Sequence, residues 1–324
     1  MYKKDPATKE RSVSEVRDLH DQALELRAQG RFEEAVARCR EAAAVQVEIT
    51  GASHPDYSRL STTLGEILAY MGLLDEAEGE LRFACNSLES FHSMQSDSEP
   101  IARLLVRARG ALGGLLRGRG RVADAEELLR SAVETAEKAL PPDDVELAVS
   151  LARLGLLCRV TQRLVEGETH YRRALAIEER VLSADDPMIA EDAAGLAAVL
   201  FQLGRFDEAE PLFVRAITVT DLKFGEGHGA SAVHVQNLGA LHAQRGDVGR
   251  AEEAYRRALA IKQRAFGDEH PDTALTRQNL GVLLRRSGRE EEGRALLAQA
   301  LASLGAALGP VHPLTQGCRS RLEG

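Results

Sequence analysis

Histidine, cysteine and arginine are the residues whose placement in this chain could support chemistry. His228, His270 and His312 stand 42 residues apart, and His54 occupies a matching loop. Imidazoles are common metal ligands, but a metal needs its ligands to converge on one point. Residues spaced so regularly are spread along a fold instead, so loop hydrogen bonding or helix capping is the expected role. His234 and His242 lie eight apart, not the three or four that set helical side chains side by side. Cys39, Cys85, Cys158 and Cys318 form no CxxC pair. They read as small buried hydrophobes in a reducing compartment, not as bridges or zinc ligands. The strings GRGRVA at 118–123 and GEGHG at 225–229 have the composition of phosphate loops, but neither follows a strand. No Ser or Cys lies in a motif for an activated nucleophile. The sequence therefore predicts no catalytic residues, no metal and no cofactor.

The charge balance narrows the partners. Lys and Arg total 41 against 50 Asp and Glu, a formal net charge of −9, which disfavours direct binding to nucleic acid or to an anionic membrane. No stretch approaches the ~20 apolar residues of a membrane span, and no apolar run follows the charged start MYKKDPATKER, so neither a span nor a signal peptide is expected. A cytoplasmic protein fits these features.

The elements that must carry any site come from a repeat. The chain has 324 residues, more than the ~250–300 that one core fills, which leaves two domains or a repeat array. YRRALAI occurs at 171–177 and again at 255–261, 84 residues on, with LFVRAIT from Leu212 between them. The period is 42. Anchored on a turn glycine, it gives Gly30, Gly72, Gly120, Gln162, Gly204, Gly246 and Gly288, every step being 42 except the 48 from Gly72 to Gly120. Twelve residues after each anchor comes Ala42, Ala84, Ala132, Ala174, Ala216, Ala258 and Ala300. Five after it stand Ala35, Ala77, Ala125, Gly167, Ala209, Ala251 and Gly293. Eight before it lies Leu in every repeat but the first, followed by Gly or Ala. Small residues at fixed places let helices approach closely while the Leu fills the seam. Each unit reads as helix, tight turn, helix, loop, with prolines in the loops or a first helical turn, and no strand pattern intervenes.

The motif LG, Gly, Ala, Tyr, Ala resembles a tetratricopeptide repeat. The 42-residue period and the loop GDEHPDTA at 267–274 are similar to the longer repeats of kinesin light chains and their bacterial relatives. The resemblance covers about residues 14–312 and implies an all-α, right-handed superhelix, an α-solenoid of seven helix-turn-helix repeats with a short C-terminal capping helix. The corresponding organisation is a polar tail at 1–13, repeats 1–2 at 14–100 with an inserted loop at 90–100, repeats 3–7 at 101–312, and the cap at 313–324. The long N-terminal heptad coil of a kinesin light chain is not among these residues, so microtubule cargo transport does not carry over. The glycines at 110, 113, 114 and 118, beside the inserted loop, suggest either a hinge or a close approach of ligand to backbone.

In the proteins this chain resembles, the first helix of each repeat lines a concave groove. Its exposed positions lie thirteen, ten, nine, six, three and two residues before the anchor. Here these positions hold nine arginines against three acids, Asp21, Glu66 and Glu191. The residues expected to contact a partner are Arg17, Arg59, Arg107, Arg117, Arg153, Arg159, Arg285 and Arg286, with Gln236, Asn237, Gln278 and Asn279. Arg27 and His20 face the same way. Guanidinium groups match carboxylates in a partly desolvated wall, and the two Asn stand where such proteins commonly hold a peptide backbone. The expected function is that of a non-catalytic interaction scaffold or adaptor taking an acidic or carboxylate-bearing segment of a partner protein. The alternative is a sensor or regulatory subunit that changes conformation on binding and controls an effector enzyme on another chain. Oligomeric state is left open by the sequence.

Overall fold

The computed structural model describes residues 6–94 and 98–324, with side chains from residue 13 onward. The described residues form fifteen helices and no strand. The helices are α1 (Pro6–Ala28), α2 (Phe32–Thr50), α3 (Pro55–Tyr70), α4 (Leu74–Met94), α5 (Glu99–Gly118), α6 (Val122–Ala139), α7 (Val145–Val160) and α8 (Leu164–Val181). They continue as α9 (Pro187–Gln202), α10 (Phe206–Phe224), α11 (Ser231–Gln244), α12 (Val248–Phe266), α13 (Pro271–Arg286), α14 (Glu290–Leu308) and α15 (Pro313–Glu323). Odd-numbered helices up to α13 are the first helices of the repeats and even-numbered ones the second.

The turn anchors are where the 42-residue period becomes conformation. All seven have positive φ, from +62° to +85°. Six are glycine, for which the left-handed region carries no Cβ penalty; Gln162 is the exception, at φ 62°. Past each anchor a second helix begins, and the alanine twelve residues on is fully buried in all seven repeats. The glycine seven before the anchor is needed for contact. A Cβ on Gly65 would stand 2.6 Å from Leu81 Cγ, and one on Gly113 2.8 Å from Leu129 Cγ. Leu64, Leu112, Leu154, Leu196 and Leu280 fill the same seams from the buried side.

Helices α3, α7, α9, α13 and α15 begin on side-chain caps. His54, His228, His270 and His312 each accept, at ring Nδ1, the backbone N–H two residues on, at 3.2 to 3.3 Å. Asp144 and Asp186 do the same with carboxylate oxygens at 2.8 and 2.9 Å. The periodic histidines are therefore used one by one in separate loops, and each satisfies a donor the helix start would leave orphaned. Proline follows directly in α3, α9, α13 and α15, where its missing N–H costs nothing.

The chain divides into two compact units, one ending at Thr161 and the other starting at Gln162. In the first, α1 packs on α2, α3 on α4 and α5 on α6, and the first helices α3, α5 and α7 also touch in succession. In the second, α9 packs on α10, α11 on α12 and α13 on α14, and α15 covers α14. Second helices of neighbouring repeats are tied by ion pairs between residues 36 apart. These are Arg40 with Glu76, Arg215 with Glu179, Arg172 with Glu208, Arg256 with Glu292 and Arg257 with Asp221.

Three sequence expectations change. α1 starts at Pro6, within the segment 1–13 expected as a tail, with no further proline or glycine before Gly30 to end it; residues 1–5 lie outside the described residues. Of the 90–100 segment, α4 takes residues up to Met94 and α5 those from Glu99, with 95–97 outside the described residues. The compact units divide at Thr161 and Gln162, not near the glycines of α5. Two of those glycines answer to packing: Gly113 to Leu129, and Gly110 to the Arg153 side chain, whose Nη1 would lie 2.2 Å from an added Cβ.

Candidate functional site

Three first helices of the first unit send guanidinium groups to one carboxylate on a fourth. Glu66, at the middle of the exposed stripe of α3, accepts at Oε2 from Arg27 Nη1 of α1 at 3.0 Å and from Arg107 Nη2 of α5 at 3.2 Å. Arg153 Nη2 of α7 stands 4.0 Å from its other oxygen. Among the described residues Glu66 is the only carboxylate at pairing distance from these three guanidinium groups. Arg59 of α3 extends the cluster: its Nη1 lies 2.7 Å from His20 Nδ1, and its Nε is 3.9 Å from Asp56. His20 Nε2 meets Thr63 Oγ1 at 3.0 Å.

The positive field registers on the titrating groups it surrounds. Burial, with Arg59, Arg107 and Arg27 adding to it, holds the His20 imidazolium down to about 4, against a small opposing pull from Asp21. Burial pushes Glu146 of α7 upward while Arg107 and Arg153 pull it back. Burial likewise lowers Arg153, opposed by Glu66 and Glu146. The four guanidinium groups remain about a third exposed, so the cluster reaches solvent.

The other residues expected at the partner face are distributed unevenly. Arg17 is exposed on α1 and Arg117 half-buried at the end of α5; neither has an ion pair among the described residues. Arg159, in the last turn of α7, has a buried Nε without an acceptor. In the second unit Asn237 and Asn279 are half-buried on α11 and α13 and Arg286 is exposed. Three expected contacts are taken up by the fold instead. Gln236 Oε1 accepts from Lys262 Nζ at 2.8 Å and from Thr276 Oγ1 at 2.5 Å. Gln278 is 5% exposed. Arg285 pairs with Glu290 at 2.9 Å and donates to the Arg321 carbonyl of α15.

The cause is common to the first two. The position ten before the anchor is a seam position and not an open one: His20, Thr62, Ala194 and Gln278 are all buried there. The six-position stripe is too wide by one row. Elsewhere all four cysteines are buried, and desolvation pushes the thiols of Cys39 and Cys85 up to about 12, so neither is a thiolate at neutral pH. Sequence reading missed Lys262, Glu178 and Asp192, buried or half-buried polar residues at the seams. A usable signal was present, since Glu178 and Lys262 occupy a register filled by Leu88, Ala136 and Leu304 in other repeats.

Helices paired first with second, repeat after repeat, define a helical-repeat protein. The chain belongs to the tetratricopeptide repeat family. One tetratricopeptide repeat model matches residues 18–90, 146–221 and 229–314, and a second matches 105–146. Similar solved structures include BtubC (BKLC) from P. vanneervenii, 25% identical with a TM-score of 0.61, covering 74% of this chain and 94% of that one. A putative kinesin light chain from Podospora anserina is 21% identical, with a TM-score of 0.55 over 62% of this chain and 95% of that one. The Rap conjugation gene regulator of plasmid pLS20, solved with the Phr* peptide, is 16% identical, with a TM-score of 0.61 over 90% of this chain and 75% of that one. No curated protein matches the chain. Among the described residues no helix is long and apolar enough to cross a membrane.

Proposed function

We propose that this protein is a non-catalytic interaction module whose arginine-lined first helices take an acidic segment, or a chain end bearing a free carboxylate, of a partner protein. The observation that supports this is the Glu66 cluster, where one carboxylate serves three guanidinium groups that are each about a third exposed. Charge-assisted, forked hydrogen bonds to a second carboxylate would suit these groups. Arg59 and Arg117 lie on the same first helices as the cluster. Asn237 and Asn279 offer amides that both donate and accept, which suits a peptide backbone. A cytoplasmic setting fits the four buried cysteines, none of which forms a disulfide among the described residues.

A sensor that couples binding to an effector on another chain is the second reading. It is supported by the likeness in fold to a Rap regulator solved with a peptide. Small-angle scattering separates the two, since a sensor changes compactness on binding and an adaptor does not. The main test is fluorescence anisotropy with a labelled decapeptide of Asp and Glu, and with its Asn and Gln counterpart. Charge reversal of Arg107, Arg117 and Arg153 to Glu is expected to abolish capture of the acidic peptide. Unchanged binding by the folded triple variant overturns the proposal.

A further inference from the structure

Four glycines fall in α5, at 110, 113, 114 and 118, and packing accounts for two of them. Gly113 makes room for Leu129, and Gly110 for the Arg153 guanidinium. Gly118 is the last residue of the helix, where glycine costs little. Gly114 answers to no neighbour: a Cβ added there would meet nothing within 4 Å. The other six repeats carry a side chain at this register, six residues before the anchor. A glycine in a helix interior weakens the helix. With no packing gain to offset that, what Gly114 provides is an open gap in which a group from outside can approach the backbone.

Two guanidinium groups flank the gap. Gly110, Gly114 and Arg117 follow one another at steps of four and three, so they share one face of α5. At 1.5 Å per residue, Gly110 lies about 6 Å from Gly114 along the axis and Arg117 about 4.5 Å on the other side. Arg153 reaches across from α7 and lays Nη1 over Gly110, where a Cβ would stand. Its Nη2 is 4.0 Å from Glu66, which takes its hydrogen bonds from Arg27 and Arg107 instead. Glu146, the other acid acting on Arg153, is pushed toward its neutral form by burial. Among the described residues neither the Arg153 nor the Arg117 guanidinium donates a hydrogen bond. Two sets of charged donors therefore stand on either side of an empty glycine, both within reach of a group placed on it.

We propose that the gap over Gly114 seats the phosphoryl group of a phosphorylated serine or threonine in the bound segment, held from one side by Arg153 and from the other by Arg117. A carboxylate has two oxygens and one charge, which a single guanidinium fork satisfies. A phosphoryl group has three terminal oxygens and nearly two charges, so it can accept from both forks at once. It is also the bulkier group, and the missing side chain at Gly114 gives it room to settle between them. The seat rests on the reading of the first-helix face as a peptide-binding surface and adds a dependence on the partner's modification state.

The test is fluorescence anisotropy of the full chain with a labelled, amidated Gly-Ala octapeptide carrying one central phosphoserine, and with its Ser and Glu counterparts. The phosphoserine peptide should bind about tenfold more tightly than the Ser peptide and about fivefold more tightly than the Glu peptide. Gly114→Leu fills the gap without its Cβ meeting a neighbour, so helicity and thermal melt should hold while the phosphoserine preference disappears. Arg117→Gln, in the last turn of α5, should lose the same preference with the gap left open. A phosphoserine peptide bound no better than the Glu peptide overturns the seat, as does a preference that survives in folded Gly114→Leu or in Arg117→Gln. A parent that takes the phosphoserine peptide in this way but ignores the acidic decapeptide refutes the acidic-segment reading and leaves the seat standing. Capture of the decapeptide with no phosphoserine preference does the reverse. Tighter binding to vesicles of phosphatidylcholine and phosphatidylinositol phosphate than to the phosphopeptide would make a membrane the source of the phosphoryl group, and the proposal would fall.

Discussion

Replacing Glu66 by Gln isolates what the arginine cluster is for. The substitution keeps the side-chain shape and removes the one charge that Arg27, Arg107 and Arg153 share, at 3.0, 3.2 and 4.0 Å. At an effective dielectric constant of 20, a pair at 4 Å is worth up to about 4 kcal/mol. The guanidinium groups are about a third exposed, so solvent screening reduces each pairing to about 1 kcal/mol or less. A loss of about 1–3 kcal/mol in stability follows, since the Gln amide oxygen can still accept one hydrogen bond. The same change should help an external carboxylate, which no longer competes with an internal one. Recovering about 1.4 kcal/mol of that pairing is a tenfold gain in affinity. Urea denaturation measures the first effect, and anisotropy with the acidic decapeptide at two salt concentrations measures the second. Lower stability with unchanged or weaker binding would refute the reasoning and leave Glu66 as a structural tie only.

Other substitutions test the fold. Gly113→Ala should destabilise by about 1–2 kcal/mol, because overpacking against Leu129 exceeds the gain in helix propensity. Gly114→Ala, one residue on with nothing within 4 Å, should stabilise by up to about 1 kcal/mol, and thermal melts of the two variants should move in opposite directions. Gln162→Gly should stabilise by up to about 1 kcal/mol by relieving a left-handed conformation held against its Cβ. His20 is held down to about 4 from an ordinary 6.5, so the unfolded chain takes up its proton first as pH falls. Stability is intact above pH 6.5 and is lost between there and pH 4, by about 3 kcal/mol in all. His20→Gln should flatten that part of the denaturation profile, and an unchanged slope would dismiss the burial of His20 as its source.

The repeat was legible because its positions are steric. An alanine in a zero-clearance contact and a glycine at positive φ admit few substitutes, so they recur in sequence at 30, 72 and 120 or at 42, 84 and 132. The cluster around Glu66 was legible only as a surplus of arginine. Its members come from four repeats, at 27, 66, 107 and 153. Only the helix contacts decide that they converge on one carboxylate. Gln278 was misplaced for a related reason: a polar residue at a seam looks like one at a surface until its neighbours are known. Glu178 was legible in principle, as a charge in a register that elsewhere holds Leu or Ala.

The ion pairs between second helices have an evolutionary consequence. Each joins residues 36 apart within a 42-residue period, in two registers: Arg40, Arg172 and Arg256 reach an acid of the repeat after, and Arg215 and Arg257 an acid of the repeat before. A duplicated repeat spliced in register would arrive with complementary donors and acceptors already on both sides, and with the alanine that lets it seat. The array can grow or shorten by whole repeats without new interfaces having to be invented, and the two identical copies of YRRALAI look like the residue of such an event.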